Sequence, residues 1–383
     1  MRLDSVKIYS LSLPFSIPFS HALKHRFSAN NIAVEVSAGK GELRGYGEGA
    51  PRPYVTGESQ GSALIDAGRL VNRPSFPWNL EEPGQIWDYI DSLPPGKIHH
   101  STTCAIETAL LDILARSREK SISDFFSKDF YTGNVVYGSA IPLGDGKVVK
   151  EFGRRIRELG INRVKLKLGR NIEESRSALK AISMVFGNDY DLKIDVNMAW
   201  NREQTMAHLP LLQAFRVSVL EQPLVPCDPD INLLAPAIRE AGIQLMADES
   251  VCTLGELERV MEEGHYRMVN IRLSKCGGFR KCLEMIEYLR SGGTAFQIGC
   301  HLGESGILSA AGRALSLLCG DARYHDGSYD AFLLRENVTD QPVSFGKGGI
   351  AEPLKGPGLG VEIDRDRLLR LSGGRPRITI LRP

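Results

Sequence analysis

The sequence is poor in features that would tie it to a membrane, a nucleic acid or an oxidising compartment. No apolar run approaches the ~20 residues a membrane-spanning helix needs, and the first residues, MRLDSVKIYSLSLPF, lack the unbroken apolar stretch of a secretion signal. Neither sign of charge dominates: 47 Lys and Arg face 46 Asp and Glu, for a net charge of +1. That balance excludes the basic footprint of a nucleic-acid or membrane-surface binder. The seven cysteines are odd in number and scattered, and neither Cys276 nor Cys282 has a CxxC partner, which argues against a zinc knuckle. These absences point to a reduced, soluble, cytoplasmic protein. Low-complexity segments and close internal repeats are missing too.

What is present is a rhythm. Asp195, Glu221, Asp248 and Lys275 stand 26, 27 and 27 positions apart. Each closes a short, mostly apolar run: Leu192–Ile194, Val217–Leu220, Leu245–Ala247 and Val269–Ser274. Lys165 and Lys167, in VKLKLG, lie one similar interval upstream. A repeating βα unit with one charge at each strand end has this spacing, and in a (β/α)8 barrel those ends converge on one face, where the chemistry sits.

At 383 residues two domains are expected. Residues 1–130 read as an α+β domain. Val6–Leu13 and Asn31–Ser37 alternate as antiparallel strands, Gly39–Gly49 is glycine-rich and turn-like, and Ser59–Val71 and Thr102–Ser117 are helical, with an Asn/Pro-rich loop between them. From 131 to 350, strands and amphipathic helices alternate. The strands predicted are Val135–Ile141, Arg163–Leu168, Leu192–Val196, Val217–Leu220, Gln244–Ala247, Met268–Ile271, Ala295–Ile298 and a weak eighth near Ala322–His325. Eight units favour a closed TIM barrel over an open sheet. Residues 351–383 leave the barrel at a glycine-rich turn and are expected to return to the first domain. Trp78 and Trp200 are assigned to the core, His99 and His100 to the surface.

Alternation puts Lys165 and Lys167 on one side of their strand, and Asp195 and Asn197 on one side of theirs. Three carboxylates from neighbouring strands, with no His or Cys nearby, favour Mg²⁺ over zinc, with Mn²⁺ as a substitute. Strands two and six lie opposite each other in an eight-stranded ring, so Lys167 and Lys275 face one another across the site. A lysine is normally protonated at neutral pH; the like charge of Lys165 and a nearby cation are expected to lower the pKa of Lys167 and make it a usable base. The substrate class that follows is a small carboxylate losing its α-proton.

The ordered set VKLKLG, IDVNMAW, LEQPL, MADES and IRLSKCGG resembles the enolase superfamily, within it the muconate lactonizing enzyme-like subgroup of the mandelate racemase/muconate lactonizing enzyme family. GEGAPRPYVTGES, which contains Tyr54, looks like that family's capping-domain loop, and GPGLGVEID like its C-terminal segment. The resemblance implies an enolase-like modified barrel capped by the α+β domain, which the C-terminal segment completes. It implies Asp195, Glu221 and Asp248 as Mg²⁺ ligands, Lys167 and Lys275 as acid/base catalysts, Lys165 as a helper near the substrate carboxylate, and Asn197 and Glu249 as outer groups. Homo-oligomers are frequent in the family. Three departures stand out. Met198 replaces a common Gln. The seventh strand ends in CHLGESG, which brings in His301 and shifts Glu304. Tyr324 replaces the first Asp of the DxD motif of dipeptide epimerases, leaving Asp326 to face a cationic group. FSIPFSH resembles the mobile specificity loop, so Phe15, Phe19 and His21 are candidates to shield or touch substrate, or else to staple the domains. His301 is a candidate third acid/base or a packed loop residue; Glu304 is similar.

The expected reaction is racemisation or epimerisation of an amino-acid-derived carboxylate through an enediolate, with cycloisomerisation or β-elimination as alternatives on the same parts. A Schiff-base lyase needs no divalent site, and a non-catalytic barrel predicts damaged ligands, whereas all three carboxylates and both lysines are intact.

Overall fold

A computed structural model describes residues 1–21 and 24–382, and of residues 17–21, 24 and 25 the backbone alone. The long antiparallel hairpin of β1 (Leu3–His21) and β2 (Lys24–Ala38) is joined by β3 (Leu43–Gly49). Helices α1 (Gln60–Val71), α2 (Pro83–Asp91) and α3 (His100–Ser117) follow. Helix α2 falls inside the stretch expected to be an Asn/Pro-rich loop. Helix α3 is buried from His100 to Ala115 and packs on β3.

The segment expected to be a turn contains a strand, and the reason lies in its glycines. Gly45, Gly47 and Gly49 alternate along β3, so they share one face. A methyl on any of them would overlap the α3 backbone, at Ile113 and Ala109, at Ala105 and at Ser101 respectively. Here glycine lets a helix axis approach a sheet; it does not reverse the chain. The other correction concerns two histidines. His99 and His100 are buried at the start of α3, and the His100 Nδ1 lies 2.8 Å from the Lys275 carbonyl.

After β4 (Val135–Val136), eight parallel strands alternate with helices: β5 (Ser139–Ile141), β6 (Arg163–Lys167), β7 (Asp191–Asp195), β8 (Val219–Glu221), β9 (Gln244–Ala247), β10 (Met268–Ile271), β11 (Ala295–Ile298) and β12 (Tyr324–His325). They pair in sequence order. The ring closes where Tyr137 bridges His325 and the Gly138 N–H donates to the His325 carbonyl at 2.8 Å. Helix α4 (Gly146–Glu158) follows β5, capped at its start by the Asp145 carboxylate. The pair of β13 (Ile350–Ala351) with β4 precedes the tail, and β14 (Ile378–Leu381) returns to pair with β1 at Ser5–Ile8.

Two buried carboxylates fasten the first domain to the barrel. Glu48 accepts from the Ser305 N–H and Oγ and the Leu308 N–H, capping the helix Gly306–Leu318. Glu107 on α3 accepts from the Phe279 and Arg280 N–H groups at 2.5 and 2.9 Å, capping the helix Phe279–Ser291. Among the described residues no helix is long and apolar enough to cross a membrane.

Candidate active site

The carboxyl ends of β6, β7 and β8 carry Lys167, Asp195 and Glu221 in one row, because these three residues are register partners across the sheet. Asp248 follows β9, and Lys275 sits on a short helix (Leu273–Cys276) after β10. The chain leaves these strands by unusual routes: Asn197, Met198 and Gln222 have φ of 46°, 61° and 40°. Such left-handed backbone at non-glycine residues is uncommon and collects at functional sites. Gln222 shows what holds it in place. Its side-chain oxygen accepts from the Asp248 N–H at 2.9 Å, and its amide donates to the Leu224 carbonyl and Ser250 Oγ, so it locks the ends of β8 and β9 together.

Asp195, Glu221, Asp248 and Asp326 each lean on a cation of the chain. Lys167 Nζ donates to Asp195 Oδ2 at 2.8 Å and to Asn197 Oδ1 at 2.7 Å. Lys165 Nζ lies 2.6 Å from Glu221 Oε2 and 2.8 Å from Asp326 Oδ2. Arg272 donates to Asp248 and reaches Glu221. Lys275 Nζ donates to Asp248 Oδ1 at 2.9 Å, the Asp248 carbonyl at 2.7 Å and the Asn270 carbonyl at 2.6 Å.

Two of the buried lysines keep their protons because their partners outweigh burial. Burial alone would strip the proton from Lys165, but Asp326 and Glu221 outweigh it and hold the ammonium. Burial and Asp248 compete in the same way at Lys275, and its pKa is also raised. Burial would raise the Asp195 carboxyl, yet Lys167 and Lys165 prevail and hold it low. The two lysines of VKLKLG meet separate carboxylates, Glu221 and Asp326 at Lys165 and Asp195 at Lys167.

The donor set suits a hard divalent cation. It is all oxygen, and two buried oxygens of cavity-lining residues, Glu249 Oε2 and Asn270 Oδ1, have no hydrogen-bond partner among the described residues. Burial, with Asp248 and Asp195 adding like charge, pushes the Glu249 carboxyl up to about 8, a cost that a bound cation relieves. With the cations of the chain in place, no group of three His, Cys, Asp or Glu among the described residues is drawn close enough to hold an ion. An ion there would compete with Arg272, Lys165 and Lys275 for these oxygens.

Tyr54, Lys165, Lys167, Asn197, Glu249 and His301 are among the residues lining the cavity over these strand ends. Tyr54 comes from the capping loop. That loop is pinned by the Ala50 N–H on Ser274 Oγ at 2.8 Å and by Arg52, which donates to Asn31 Oδ1 and the Leu302 carbonyl. His301 is 3 % exposed, and neither ring nitrogen has a hydrogen-bond partner among the described residues. Burial, then the charges of Arg272 and Arg52, keeps its imidazole neutral.

Several expectations need correction. Lys275 does not line the cavity; it lies fully buried beneath it, with three acceptors on its ammonium. Glu304 does not line the cavity either, and accepts from the His301 N–H at 2.6 Å to close its own loop. Phe15 is buried against Gly303 and bridges Leu334, so it is a staple between the domains and not a shield. The side chains of His21 and Phe19 lie outside the described residues. Asp326 does face cationic groups, but they belong to the chain itself: Lys165 and the wholly buried Lys193, 3.2 Å away. Lys193, Arg272, Asn270 and Gln222 escaped the sequence reading. Alternation from Asp195 back to Lys193, and from Arg272 back to Asn270, was the signal that places them inside the ring.

A sequence profile of the family described as enolase C-terminal domain-like matches residues 147–367. A hydrophobic dipeptide epimerase of Enterococcus faecalis is 26% identical over 316 residues, 81% of this chain and 86% of the relative. Its structure, complexed with Mg and the dipeptide L-Leu-L-Tyr, superposes with a TM-score of 0.83 at 23% identity, covering 94% of this chain and 100% of that one. An N-succinyl-L-Arg/Lys racemase of Bacillus cereus is 24% identical over 381 residues, 97% of this chain and 98% of the relative, and its structure gives a TM-score of 0.87 over the whole of both chains. A muconate lactonizing enzyme of Mycobacterium smegmatis, complexed with muconolactone, gives 0.84 at 21% identity over 97% and 99% of the two chains.

Proposed function

The chain belongs to the enolase C-terminal domain-like family, and from that premise we propose that it is an isomerase that removes and returns the proton α to a carboxylate, inverting one centre of an N-acylated amino acid. The observation that carries this reading is the pairing of Lys167, at the end of β6, with Lys275, on the short helix that follows β10, a strand four places away in the eight-stranded ring, with Asp195, Glu221 and Asp248 on the strand ends between them. Inversion requires an amine on each face of the substrate α-carbon: Lys167 lines the cavity already, and Lys275 would reach it by giving up its contacts with Asp248 and Asn270.

Asp195, Glu221 and Asp248 would hold one Mg²⁺, with Mn²⁺ as a substitute, and the ion would neutralise the charge that gathers on the substrate carboxylate as the α-proton leaves. The rest is work for side chains. Lys167 takes the proton on one face, with Asn197 and Asp195 orienting its ammonium. Lys275 serves the other face once Asp248 is engaged elsewhere. Lys165 holds the substrate carboxylate, and Tyr54 and His301 contact the remainder, His301 as a neutral hydrogen-bonding ring.

The preference for an acylated over a free amine rests on charge. Asp326, which stands at the last position of the DxD motif by which dipeptide epimerases hold a substrate ammonium, already serves Lys165 and Lys193. Tyr324, where dipeptide epimerases carry the first Asp, gives its hydroxyl to Asp191 at 2.7 Å and its ring face to Lys193. The name of the Bacillus cereus relative agrees with an acylated amine.

The test is exchange of the α-proton in D₂O with Mg²⁺, over N-acyl amino acids, dipeptides and muconate. N-acyl amino acids should exchange and racemise, and EDTA should abolish both until Mg²⁺ is restored. Lys167→Ala and Lys275→Ala should each lower turnover about 10²–10⁴-fold and each stop exchange from one enantiomer only. Full activity in both variants, or indifference to EDTA, would sink the proposal. Turnover of muconate alone would assign the site to cycloisomerisation.

A further inference from the structure

Beside the catalytic cavity lies a second one that no step above uses. It opens between the first barrel strand and the segment after the last. Its walls are largely carbon: Phe152, Ile156 and Leu159 from α4, Leu333 from the helix Asp330–Leu333, and Phe345. Its single charged lining residue, Arg155, is mostly exposed and pairs with Glu151 at 2.6 Å. Three residues, Ala140, Leu302 and Tyr329, line both cavities, so the two spaces share a border at the seam where the ring closes. Tyr329 is fixed there by its hydroxyl, which donates to the Gly138 carbonyl at 2.9 Å.

The cavity measures about 160 Å³. Close-packed interiors hold few voids larger than a water molecule, and an apolar space of ~150 Å³ is known to admit benzene. Water gains little in such a space, because the polar partners it needs are scarce. Binding pockets combine this composition with a few placed polar groups, and those groups are present across the shared border.

We infer that this cavity is the subsite for a phenyl-sized apolar group on the substrate, so that the preferred substrates are N-acyl amino acids bearing an aromatic or similarly bulky arm. The inference rests on the reaction proposed above for the substrate class, but not for the pocket itself. The α-carbon and carboxylate stay over the strand ends, and the apolar arm passes Ala140 and Leu302 into the space between β5 and α4.

Ser139 lines the second cavity and not the first, which makes it the position to plug. The experiment compares N-acetylalanine, N-acetylphenylalanine and N-benzoylalanine as substrates for the native chain and for Ser139→Phe. The ratio of kcat/KM for the better aromatic substrate to that for N-acetylalanine should fall at least tenfold in the variant; an unchanged ratio overturns the inference. Should Ser139→Phe lose cooperative unfolding, Ser139→Val is the smaller plug, and the same ratio decides. Benzamide binding followed by ligand-observed NMR separates this inference from the reaction. If no substrate exchanges its α-proton, the reaction is wrong, and the pocket then stands on benzamide binding that the plug weakens. Absence of binding to the native chain, or equal binding to both, refutes the pocket.

Discussion

Asp326 is the residue on which the interior of the barrel depends. Two buried ammoniums, Lys165 and Lys193, meet at its carboxylate, and the pair keeps its pKa far below the usual carboxylate range against the pull of burial. Removing one partner from a buried ion pair strands the other charge, which costs about 3–5 kcal/mol. Asp326→Asn should therefore destabilise the fold by that order in urea unfolding, and adding Lys193→Met should restore part of the loss. A double variant no more stable than the single one would show that Lys193 draws its support from Gln297, 2.5 Å away, and not from Asp326. Asp326 and Lys165 stand out in the sequence, but their meeting does not, and Lys193 does not stand out at all. Lys193 in mid-strand reads as a solvated charge until Gln297 and Asp326, more than a hundred positions later, are seen to meet it. Asp195, Glu221, Asp248 and Lys275 were legible for the opposite reason: each ends its own short, mostly apolar run at an even interval, so the local pattern marks them.

Elements meet through titratable contacts, and Glu107 between α3 and the helix Phe279–Ser291 is the clearest. Burial pushes its carboxyl up to about 8, from an ordinary value of 4.5, although two helix N–H groups favour the charged form. The folded state then binds the proton more tightly than the unfolded chain does. The contribution of Glu107 to stability is complete below about pH 4.5 and is lost as the pH rises through about 8, an effect on the order of a few kcal/mol. Glu107→Gln should flatten the fall in unfolding midpoint between pH 5 and 8. Parallel curves for the two proteins would show that the carboxyl titrates alike in both states. This docking also explains the second glycine of the CGG that follows Lys275. Gly278 has φ of 102°, and a methyl there would overlap the Glu107 carboxylate. Sequence spacing located the eight barrel strands closely because each repeats the same local pattern. It missed β3, whose apolar partner is a helix backbone and whose own face is glycine.

At the scale of the whole molecule the chain closes on itself, since β14 covers the edge of β1 after some 370 residues of intervening chain. Deleting residues 376–383 should bare that edge. The unfolding midpoint is expected to drop by a few degrees, with association that grows with concentration; light scattering and a thermal scan check both. A truncated chain that stays dispersed and melts at the native midpoint would mean that β14 is dispensable to the first domain. The return of the tail was legible in the glycine-rich turn GPGLG, but the strand it seeks was not, because edge pairing leaves no periodic mark. The glycine stripe of β3 also has a consequence for catalysis. The strand runs straight from Gly49 into Ala50 and Arg52, whose donors rest on Ser274 and Leu302 at the barrel mouth. The three bare α-carbons thus act as a gauge block: the thickness of the missing methyls sets how far Tyr54 reaches over the cavity at the strand ends, and a single added carbon would lift the capping loop away from it.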